Sequence, residues 1–256
     1  EPDCGSHAGG MITPARQTKD GWLLNGAKMW ITNGSQATVS IIWAKTGSVD
    51  DVKSIRGFIV PASTKGYTAK DQKGKLSLRA SDTSEIVLQD CLVPKDAILP
   101  KSGGIKSPLM CLTQARYGIA WGGIGAAMAC YDEALSYSKA RIMFGKPIGQ
   151  TQLQQSRLAD MLTEITKAQL LTLQLGRLKD KGTMTPDQVS LAKRNNINMA
   201  CEAAREARRL LGANGILAEY HSMRHMANLE SVYTYEGTHD MHTLILGQAV
   251  TGLPAF

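Results

Sequence analysis

The hydrophobic pattern of the sequence changes at residues 100–106, a segment in which proline, serine and glycine cluster. Upstream of this segment, short apolar runs alternate with turn residues, which is typical of antiparallel strands. Downstream, apolar residues recur every three or four positions over long stretches, which is typical of amphipathic helices. We therefore predict two domains, an antiparallel β domain over residues 1–103 and a helical-bundle domain over residues 104–256.

The β half contains several strand-like runs. Residues 22–24 and 29–31 flank Asn25 and Gly26, a dipeptide that is the commonest signal for a tight two-residue hairpin. Further strand-like runs lie at residues 38–44, 57–60 and 85–88. Strands that are broken by turns at such short intervals predict a small antiparallel barrel or sandwich.

Helix start signals divide the second half into five helical segments. Ser107 and Pro108 open the first, which contains four glycines, so we expect a neighbouring helix or a ligand to approach it closely. A capping box of Thr151 and Gln154 opens the second. The others run from Thr185 to Leu211, over residues 221–230, and to about Val250. Short links between long helices predict an up-down four-helix bundle, so the fold class is α+β multi-domain, an antiparallel β barrel followed by that bundle.

Basic residues outnumber acidic ones without forming a patch. The 256 residues carry a formal net charge of +7, but the lysines and arginines are scattered rather than interleaved with aromatic residues. We therefore predict no nucleic-acid partner. A mildly basic protein suits an anionic small ligand, such as one that carries phosphates.

The five cysteines are odd in number and far apart, which argues against a disulfide framework and a zinc site. They favour a reducing compartment, such as the bacterial cytoplasm or the mitochondrial matrix. No apolar run reaches the roughly eighteen residues of a membrane span. The first residues lack an initiator Met and the features of a signal peptide, which indicates a fragment or a processed product.

The polar stretch from Tyr235 to His242 carries the strongest candidate for a catalytic side chain. Glu236 precedes Gly237, which frees the backbone, and Thr238, a good N-cap for the apolar run that follows. A carboxylate on a non-helical corner that faces a helix start is well placed to act as a base. The same carboxylate also suits a plain role in complementing the helix dipole, so the pattern leaves both interpretations open.

Two other features suit a bound ligand. Trp30, Ile31 and Thr32 end one strand with an aromatic ring and a hydroxyl, beside which a flat aromatic cofactor can lie, although a plain strand end explains them too. Arg116 interrupts an apolar helix face and Arg141 closes the same helix. Each arginine is either a solvated charge or a group that holds an anionic ligand.

Other candidate motifs give weaker evidence for a function. His239 and His242 are three apart, but they lack the metalloprotease Glu and a third ligand, so we predict no metal site. Residues 212–215 resemble a phosphate cradle, and a helix C-cap explains their glycines equally well. No serine lies in the context of a nucleophile elbow.

Taken in their order along the chain, the short motifs resemble those of the acyl-CoA dehydrogenases. They are Glu1-Pro2 with Gly5-Ser6, Trp30 to Asn33, Lys73-Gly74 with Ser77 and Arg79, Arg141 with Phe144-Gly145 and Pro147, Gln152, and Glu236 to Thr238. Each motif is unspecific by itself, whereas their order over essentially the whole chain is highly specific. Within the family, the stretches 74–80, 115–121, 175–180 and 235–242 are most similar to the branch that acts on glutaryl-CoA.

The resemblance implies a leading α domain, a middle β barrel and a trailing helical bundle, with FAD between barrel and bundle. Because the sequence begins inside a segment that follows the leading domain in the family, we expect that domain to be absent from this chain. The arginine that recognises the distal carboxylate of glutaryl-CoA is expected to be absent with it. Contacts to FAD cross between subunits in the family, which implies a homotetramer built as a dimer of dimers.

By the same resemblance, Glu236 removes a proton from the carbon next to the thioester, and the Thr32 hydroxyl lies near flavin N5. In the glutaryl-CoA branch the oxidised product then loses CO2 and becomes crotonyl-CoA, while electrons pass to electron-transfer flavoprotein. Three alternatives stay open: a short-chain acyl-CoA oxidase that uses oxygen, a dehydrogenase of another acyl-CoA that does not decarboxylate, and a non-catalytic homologue that acts as an assembly partner.

The resemblance also assigns binding positions. Those for FAD are Ser6, Trp30, Ile31, Thr32, Arg141, Phe144, Gln152, Arg209, Leu210, Leu211, Gly212, Ala213, Thr238 and Phe256. Those for the acyl-CoA are Ser6, Leu109, Leu112, Thr113, Arg116, Tyr235 and Gly237. Two residues depart from the family pattern, since His7 stands where Asp is frequent and Ala213 where glycine is usual. If position 213 needs a positive φ, alanine there weakens FAD binding.

Overall fold

The computed structural model describes residues 1–255, so the expected FAD contact of Phe256 lies outside the described residues. The chain divides into two compact units. One consists of residues 1–75 and 79–111, and the other consists of residues 76–78 and the chain from Leu112 onward.

The first unit is built from antiparallel sheets, which confirms the predicted β half. A four-stranded sheet has the order β1, β2, β6, β5, and β3 pairs with β4 in a second sheet. Leu24, Ile86 and Leu88 of the larger sheet pack with Phe58 and Val60 of the smaller one in a single buried core. The strands are β1 (Ala15–Gln17), β2 (Trp22–Thr32), β3 (Val39–Lys45), β4 (Ile55–Pro61), β5 (Tyr67–Asp71) and β6 (Thr83–Val93).

The hairpin expected at Asn25 and Gly26 is wrong, because β2 runs straight through both residues. The register with β6 shifts between Leu24 and Gly26, so the dipeptide lies at a β-bulge. Asn25 Nδ2 donates to Asp90 Oδ1 at 3.2 Å, and Asn25 Oδ1 accepts from the Asp90 backbone at 2.8 Å. Gly26 is required for close packing rather than for a turn, since a Cβ there would lie 2.4 Å from Thr13 Oγ1.

Up to residue 255, the second unit contains five helices, which confirms the predicted helical half. They are α1 (Lys106–Ala140, whose first turns belong to the first unit), α2 (Gln152–Asp180), α3 (Pro186–Leu210), α4 (Ser222–Thr234) and α5 (His239–Thr251). The short strands β7 (Ile142–Met143) and β8 (Lys146–Pro147) form a hairpin between α1 and α2. Residues of α1, α2, α3 and α4 share one buried core. Among residues 1–255, no helix is both long and apolar enough to cross a membrane.

One buried polar residue ties the three long helices together. Asn196 of α3 donates from Nδ2 to the Ala120 carbonyl of α1 at 3.0 Å and to Thr172 Oγ1 of α2 at 2.6 Å. Gly123 of α1 permits this close approach, because a Cβ there would lie 2.6 Å from Ile197 Cδ1. The expectation of a close neighbouring helix is therefore met at Gly123.

Two helix starts differ in how their backbone groups are satisfied. Thr151 is the N-cap of α2, but its hydroxyl donates to the Ile148 carbonyl at 2.8 Å, so the capping box predicted with Gln154 is wrong.

The start of α4 is capped from another helix. Glu133 of α1 accepts from the backbone N–H groups of His221 at 2.7 Å and Ser222 at 2.8 Å. This contact fixes the helix that leads into the candidate site.

Candidate active site

The segment Tyr235-Glu236-Gly237-Thr238, here called the corner, connects α4 to α5. Thr238 is the N-cap of α5, as predicted, and its Oγ1 accepts from the Met241 backbone at 3.1 Å. Glu236 and Gly237 both have left-handed backbone, with φ of 53° and 81°. That conformation costs a non-glycine residue roughly 1–2 kcal/mol, and such outliers concentrate at functional sites.

Two side chains hold the corner in this conformation. Lys193 of α3 is 1% exposed and donates from Nζ to the carbonyls of Val232 (2.8 Å), Tyr235 (2.9 Å) and Gly237 (2.8 Å). His242 of α5 is fully buried, and its Nε2 lies 3.0 Å from the Glu236 carbonyl. Because a carbonyl only accepts, Nε2 carries the proton. Three consecutive carbonyls of the corner are therefore each bound by a side chain.

The Glu236 carboxyl group is available for chemistry. Its Oε2 is buried and has no hydrogen-bond partner among residues 1–255. Burial raises the pKa of Glu236, while the positive charges of Arg116 and Lys193 act in the opposite direction. A carboxylate with a raised pKa in a partly desolvated site has the properties of a general base that works near neutral pH.

Arg116 of α1 faces the same corner. A Cβ on Gly237 would lie 3.3 Å from Arg116 Nη2 and 2.8 Å from His242 Nε2, so glycine is required by space as well as by φ. Arg116 Nε is buried without a hydrogen-bond partner in the described part of the chain. Burial lowers the pKa of Arg116, which the charge of Glu236 opposes. The guanidinium thus has a free donor beside Gly237 of the corner, as a site for an anionic or carbonyl ligand requires.

His239 and His242, which were considered above as possible metal ligands, make other contacts near the corner. The His242 pKa is lowered to about 4 by burial and by the charge of Lys193, so this ring is neutral at physiological pH. The ring of His239 stacks on Tyr233 with centroids 4.5 Å apart and an interplanar angle of 7°. Both residues therefore support the packing around the corner.

The expected acyl-CoA positions fall in three places. On α1, Arg116 lies three residues after Thr113 and four after Leu112, so it shares a helix face with each of them. Arg116 lies beside Gly237, and Tyr235 is the C-cap of α4 in the same unit. Leu109, also on α1, and Ser6, in the exposed segment before β1, belong to the first unit.

Apart from Ser6, the expected flavin positions of the first unit lie at a bulge near the end of β2. Met29 and Trp30 stand opposite Glu85 alone, because the register with β6 shifts between Lys28 and Ile31. Trp30 has a φ of 62° and is 64% exposed, so its indole ring projects outward. Ile31 packs partly on the β core, and Thr32 is exposed. An exposed ring held by a rigid sheet fits a flat aromatic ligand.

Three more flavin positions lie where α1 leads into α2. Arg141 follows α1, Phe144 forms the turn between β7 and β8, and Gln152 is the first residue of α2. Phe144 and Gly145 have φ of 52° and 77°, which are the values of a type I′ hairpin turn, and Phe144 is 96% exposed. This turn presents an aromatic ring to its surroundings, with one basic and one amide side chain nearby in sequence.

The positions 209–213 end α3 and begin the 3-10 turn Gly212–Ile216. Leu210 and Leu211 are buried in the bundle core, at 4% and 1% exposure of the whole residue, so little of either is open to a ligand. Arg209 pairs with Glu206 at 2.5 Å. Ala213 has no positive φ, so the alanine is accommodated without strain and the expected weakening of FAD binding loses its physical basis. Thr238, the last described flavin position, is the N-cap of α5.

Lys193 and the backbone role of His242 were not predicted from the sequence. Lys193 lies on α3 in line with the buried residues Val189, Asn196, Ile197 and Ala200, at the spacing of one helix face. A lysine inside an apolar stripe is a detectable signal, because lysine is almost never fully buried unless its charge is paired. Its partners are three backbone carbonyls, however, and no side-chain pattern identifies those.

Comparisons with known proteins find two family models that match the chain. The model "Acyl-CoA dehydrogenase, middle domain" matches residues 1–91, and "Acyl-CoA dehydrogenase, C-terminal domain" matches residues 102–251. Among curated proteins, the chain is 35% identical over 247 residues to the mitochondrial short-chain specific acyl-CoA dehydrogenase of Homo sapiens. That match covers 96% of this chain and 60% of the relative, so the chain spans about 60% of the length of that protein.

Solved structures are similar over the whole chain. A glutaryl-CoA dehydrogenase from Mycobacterium smegmatis superposes with a TM-score of 0.96 at 54% identity, covering 100% of this chain and 65% of the other. A second structure of a glutaryl-CoA dehydrogenase from the same organism, in complex with FADH2, has a TM-score of 0.97 at 49% identity with the same coverage.

Proposed function

This chain belongs to the acyl-CoA dehydrogenase family, and we propose that it is part of an FAD-dependent enzyme that oxidises an acyl-CoA thioester with Glu236 as the catalytic base. The observation that carries the proposal is the state of the Glu236 carboxyl group. Its Oε2 is buried without a partner, its backbone is held in a left-handed conformation, and its pKa is raised by burial. A carboxylate that served only the helix dipole would need none of these three features.

The family uses FAD, and when bound this cofactor supplies the acceptor for the two electrons of the oxidation. The residues present fit such a group, since Trp30 offers an exposed ring at a rigid bulge and Thr32 an exposed hydroxyl donor. Arg141, Phe144 and Gln152 are the further positions that would hold it. The Ala213 backbone needs no glycine, so this departure from the family pattern does not oppose binding.

Glu236 accepts the proton from the carbon next to the thioester, while the hydrogen on the β-carbon leaves with its bonding electron pair to the oxidant. The positive charges of Arg116 and Lys193 oppose the effect of burial on the Glu236 pKa and so favour the ionised form, which accepts the proton. Arg116, with its unpaired Nε, is placed to bind the polarised end of the substrate or a nearby anionic group. The proton then resides on Glu236 until the product leaves or takes it back.

We propose glutaryl-CoA as the substrate, because the 54% identity to the Mycobacterium smegmatis glutaryl-CoA dehydrogenase exceeds the 35% to the human short-chain enzyme. After oxidation, the distal carboxylate leaves as CO2 and its bonding pair passes into the unsaturated thioester. Protonated Glu236 then returns its proton to the γ-carbon, which yields crotonyl-CoA. Electron-transfer flavoprotein is the proposed electron acceptor, and a homotetramer is the proposed assembly.

A second candidate function is oxidation of a short-chain acyl-CoA without loss of CO2. The similarity to the human short-chain enzyme over 96% of the chain supports it, because the corner would serve both reactions. In this version Glu236 keeps the proton until the unsaturated product leaves. A variant of it passes electrons to oxygen and produces peroxide.

The role of Glu236 is tested by the substitution Glu236→Gln in the full-length holoenzyme. We expect kcat with glutaryl-CoA to fall by about 10²–10⁴-fold, because an amide cannot accept the α-proton. Flavin absorbance and thermal midpoint are expected to stay unchanged. The matched control is Glu230→Gln on the exposed side of α4, which should keep kcat within about twofold. Wild-type activity in Glu236→Gln would refute the proposed base.

A further inference from the structure

We propose that Lys193 is a positioning residue that holds the Glu236 carboxylate in its reactive orientation by binding the backbone of the corner. This inference rests on the proposed role of Glu236 as the base. Lys193 lies on α3 and reaches the carbonyls of Val232, Tyr235 and Gly237 at 2.8, 2.9 and 2.8 Å. The first belongs to the last turn of α4, and the other two lie on either side of Glu236.

These contacts define the backbone of Glu236. The orientation of the peptide group between Tyr235 and Glu236 sets φ of Glu236, and Lys193 binds the oxygen of that group. The next peptide group sets ψ, and His242 Nε2 binds its oxygen at 3.0 Å. Because a left-handed glutamate persists only where its surroundings over-determine it, removal of one of the two contacts releases the conformation.

The ammonium group has no remaining capacity for another role. A lysine has three N–H donors, and Lys193 directs all three at carbonyls. The ion pairs found among residues 1–255 do not include it. Its charge is compensated by the carbonyl groups at the C-terminal end of α4, where the helix dipole favours a cation. A buried lysine that only filled space would be replaced by an apolar residue without loss, since burying a charge is costly.

Lys193 also acts on the charge of the base. The charged and titratable groups that face it are Arg116 from α1, Glu236 from the corner, His239 and His242 from α5 and Cys201 from α3 itself. Burial and the charge of Arg116 lower the Lys193 pKa to about 8, whereas Glu236 raises it. In return, the positive charge of Lys193 lowers the pKa of Glu236. Loss of this charge therefore moves ionisation of the base to higher pH.

The test compares full-length holoenzyme of wild type, Lys193→Met, Lys193→Arg and the control Arg194→Met with glutaryl-CoA and an artificial electron acceptor between pH 6 and 9. Methionine keeps the length and stem of lysine without its charge or donors. Arg194 is the adjacent basic residue, but its Nε donates to Thr243 Oγ1 at 2.8 Å rather than to the corner. Flavin absorbance and thermal midpoint report whether each variant is folded.

For Lys193→Met we expect kcat to fall by about 10²-fold, because the displaced Glu236 carboxylate is poorly aligned with the proton that it removes. KM should stay within about threefold of the wild-type value. The acidic limb of its kcat profile should move to higher pH, which a merely structural residue would not cause. Lys193→Arg should keep that limb, since the charge remains, but lose about tenfold in kcat, because a planar fork cannot match three separate carbonyls. Arg194→Met should behave as wild type.

A folded Lys193→Met holoenzyme with kcat within twofold of wild type and an unmoved acidic limb would overturn the proposal. A rise in KM alone would also overturn it, by making Lys193 a substrate-binding residue. If Lys193→Met does not fold, Lys193→Arg decides, and wild-type kcat in that variant counts against the proposal. Glu236→Gln separates the two hypotheses: an active Glu236→Gln refutes the base itself, whereas an inactive one together with an active Lys193→Met refutes only the positioning role.

Discussion

Gly237 occupies a position in which a side chain has no room. Its φ is 81°, and a Cβ there would lie 2.8 Å from His242 Nε2 and 3.3 Å from Arg116 Nη2. We predict that Gly237→Ala destabilises the folded protein by about 1–3 kcal/mol, since both the backbone and the space are unfavourable. It should also lower kcat, because His242 and Arg116 must shift. Thermal melts and steady-state kinetics of the holoenzyme measure the two effects.

The control for this substitution is Gly247→Ala in α5. Gly247 has no atom within 4 Å of its would-be Cβ and no positive φ, so alanine there favours the helix by up to about 1 kcal/mol. The two alanines should therefore act in opposite directions on the thermal midpoint. If Gly237→Ala and Gly247→Ala had equal thermal midpoints, the result would contradict the close packing described around Gly237.

Helix α4 depends on a cap that another helix provides. Burial raises the pKa of Glu133, but hydrogen bonds from Ser222 and the His221 backbone outweigh it, and the pKa is lowered overall. We predict that Glu133→Gln at pH 7 costs about 1 kcal/mol, the usual loss for a cap. Because the folded-state pKa is depressed, the ionic part of this stability is present above about pH 4.5 and is lost as pH falls through the folded pKa.

Thermal midpoints of wild type and Glu133→Gln, recorded from pH 7 down to pH 3.5, measure that dependence, and the difference between them should shrink toward acid. Glu202→Gln is the matched control, since Glu202 forms an exposed pair with Arg205 at 2.6 Å and such pairs contribute little. A pH-independent difference for Glu133→Gln would show that its carboxylate charge does not stabilise α4.

Elements with long periodic signals were predictable from the sequence, and those that depend on tertiary contacts were not. The long helices α1, α2 and α3 carry apolar residues at helical spacing, so their existence follows from local patterns. The signal at Asn25 and Gly26 is local too, but a bulge held by Asp90 overrides it. The hydroxyl of Thr151 likewise prefers the Ile148 carbonyl to the helix start, a choice that sequence spacing does not reveal.

The candidate site shows the same limit. Glu236 and Thr238 were identified because their residue types and order carry meaning, and Thr238 caps α5 as expected. The hydrogen bonds from Lys193 to the corner could not be predicted, because they are made to backbone oxygens, which every residue possesses. Side-chain roles can thus be predicted from sequence where they are local, whereas contacts between a side chain and distant backbone need coordinates.

The choice between the two candidate substrates is a property of the complete enzyme. In the branch of the family that the sequence resembles, an arginine recognises the distal carboxylate of glutaryl-CoA. A site that pairs a carboxylate with a buried cation rejects an uncharged analogue, because the cation is then left unpaired. We therefore predict that the full-length holoenzyme prefers glutaryl-CoA to butyryl-CoA by at least about 10²-fold in kcat/KM.

The measurement uses both thioesters with an artificial acceptor, under air, and follows CO2, peroxide and the unsaturated product. With glutaryl-CoA we expect one CO2 and one crotonyl-CoA for each pair of electrons transferred, with peroxide formed much more slowly. Equal kcat/KM for the two substrates, or oxidation of glutaryl-CoA without CO2, would favour the short-chain function instead. Peroxide formed in step with turnover would identify oxygen as the acceptor, while Glu236 would keep its role as the base in each case.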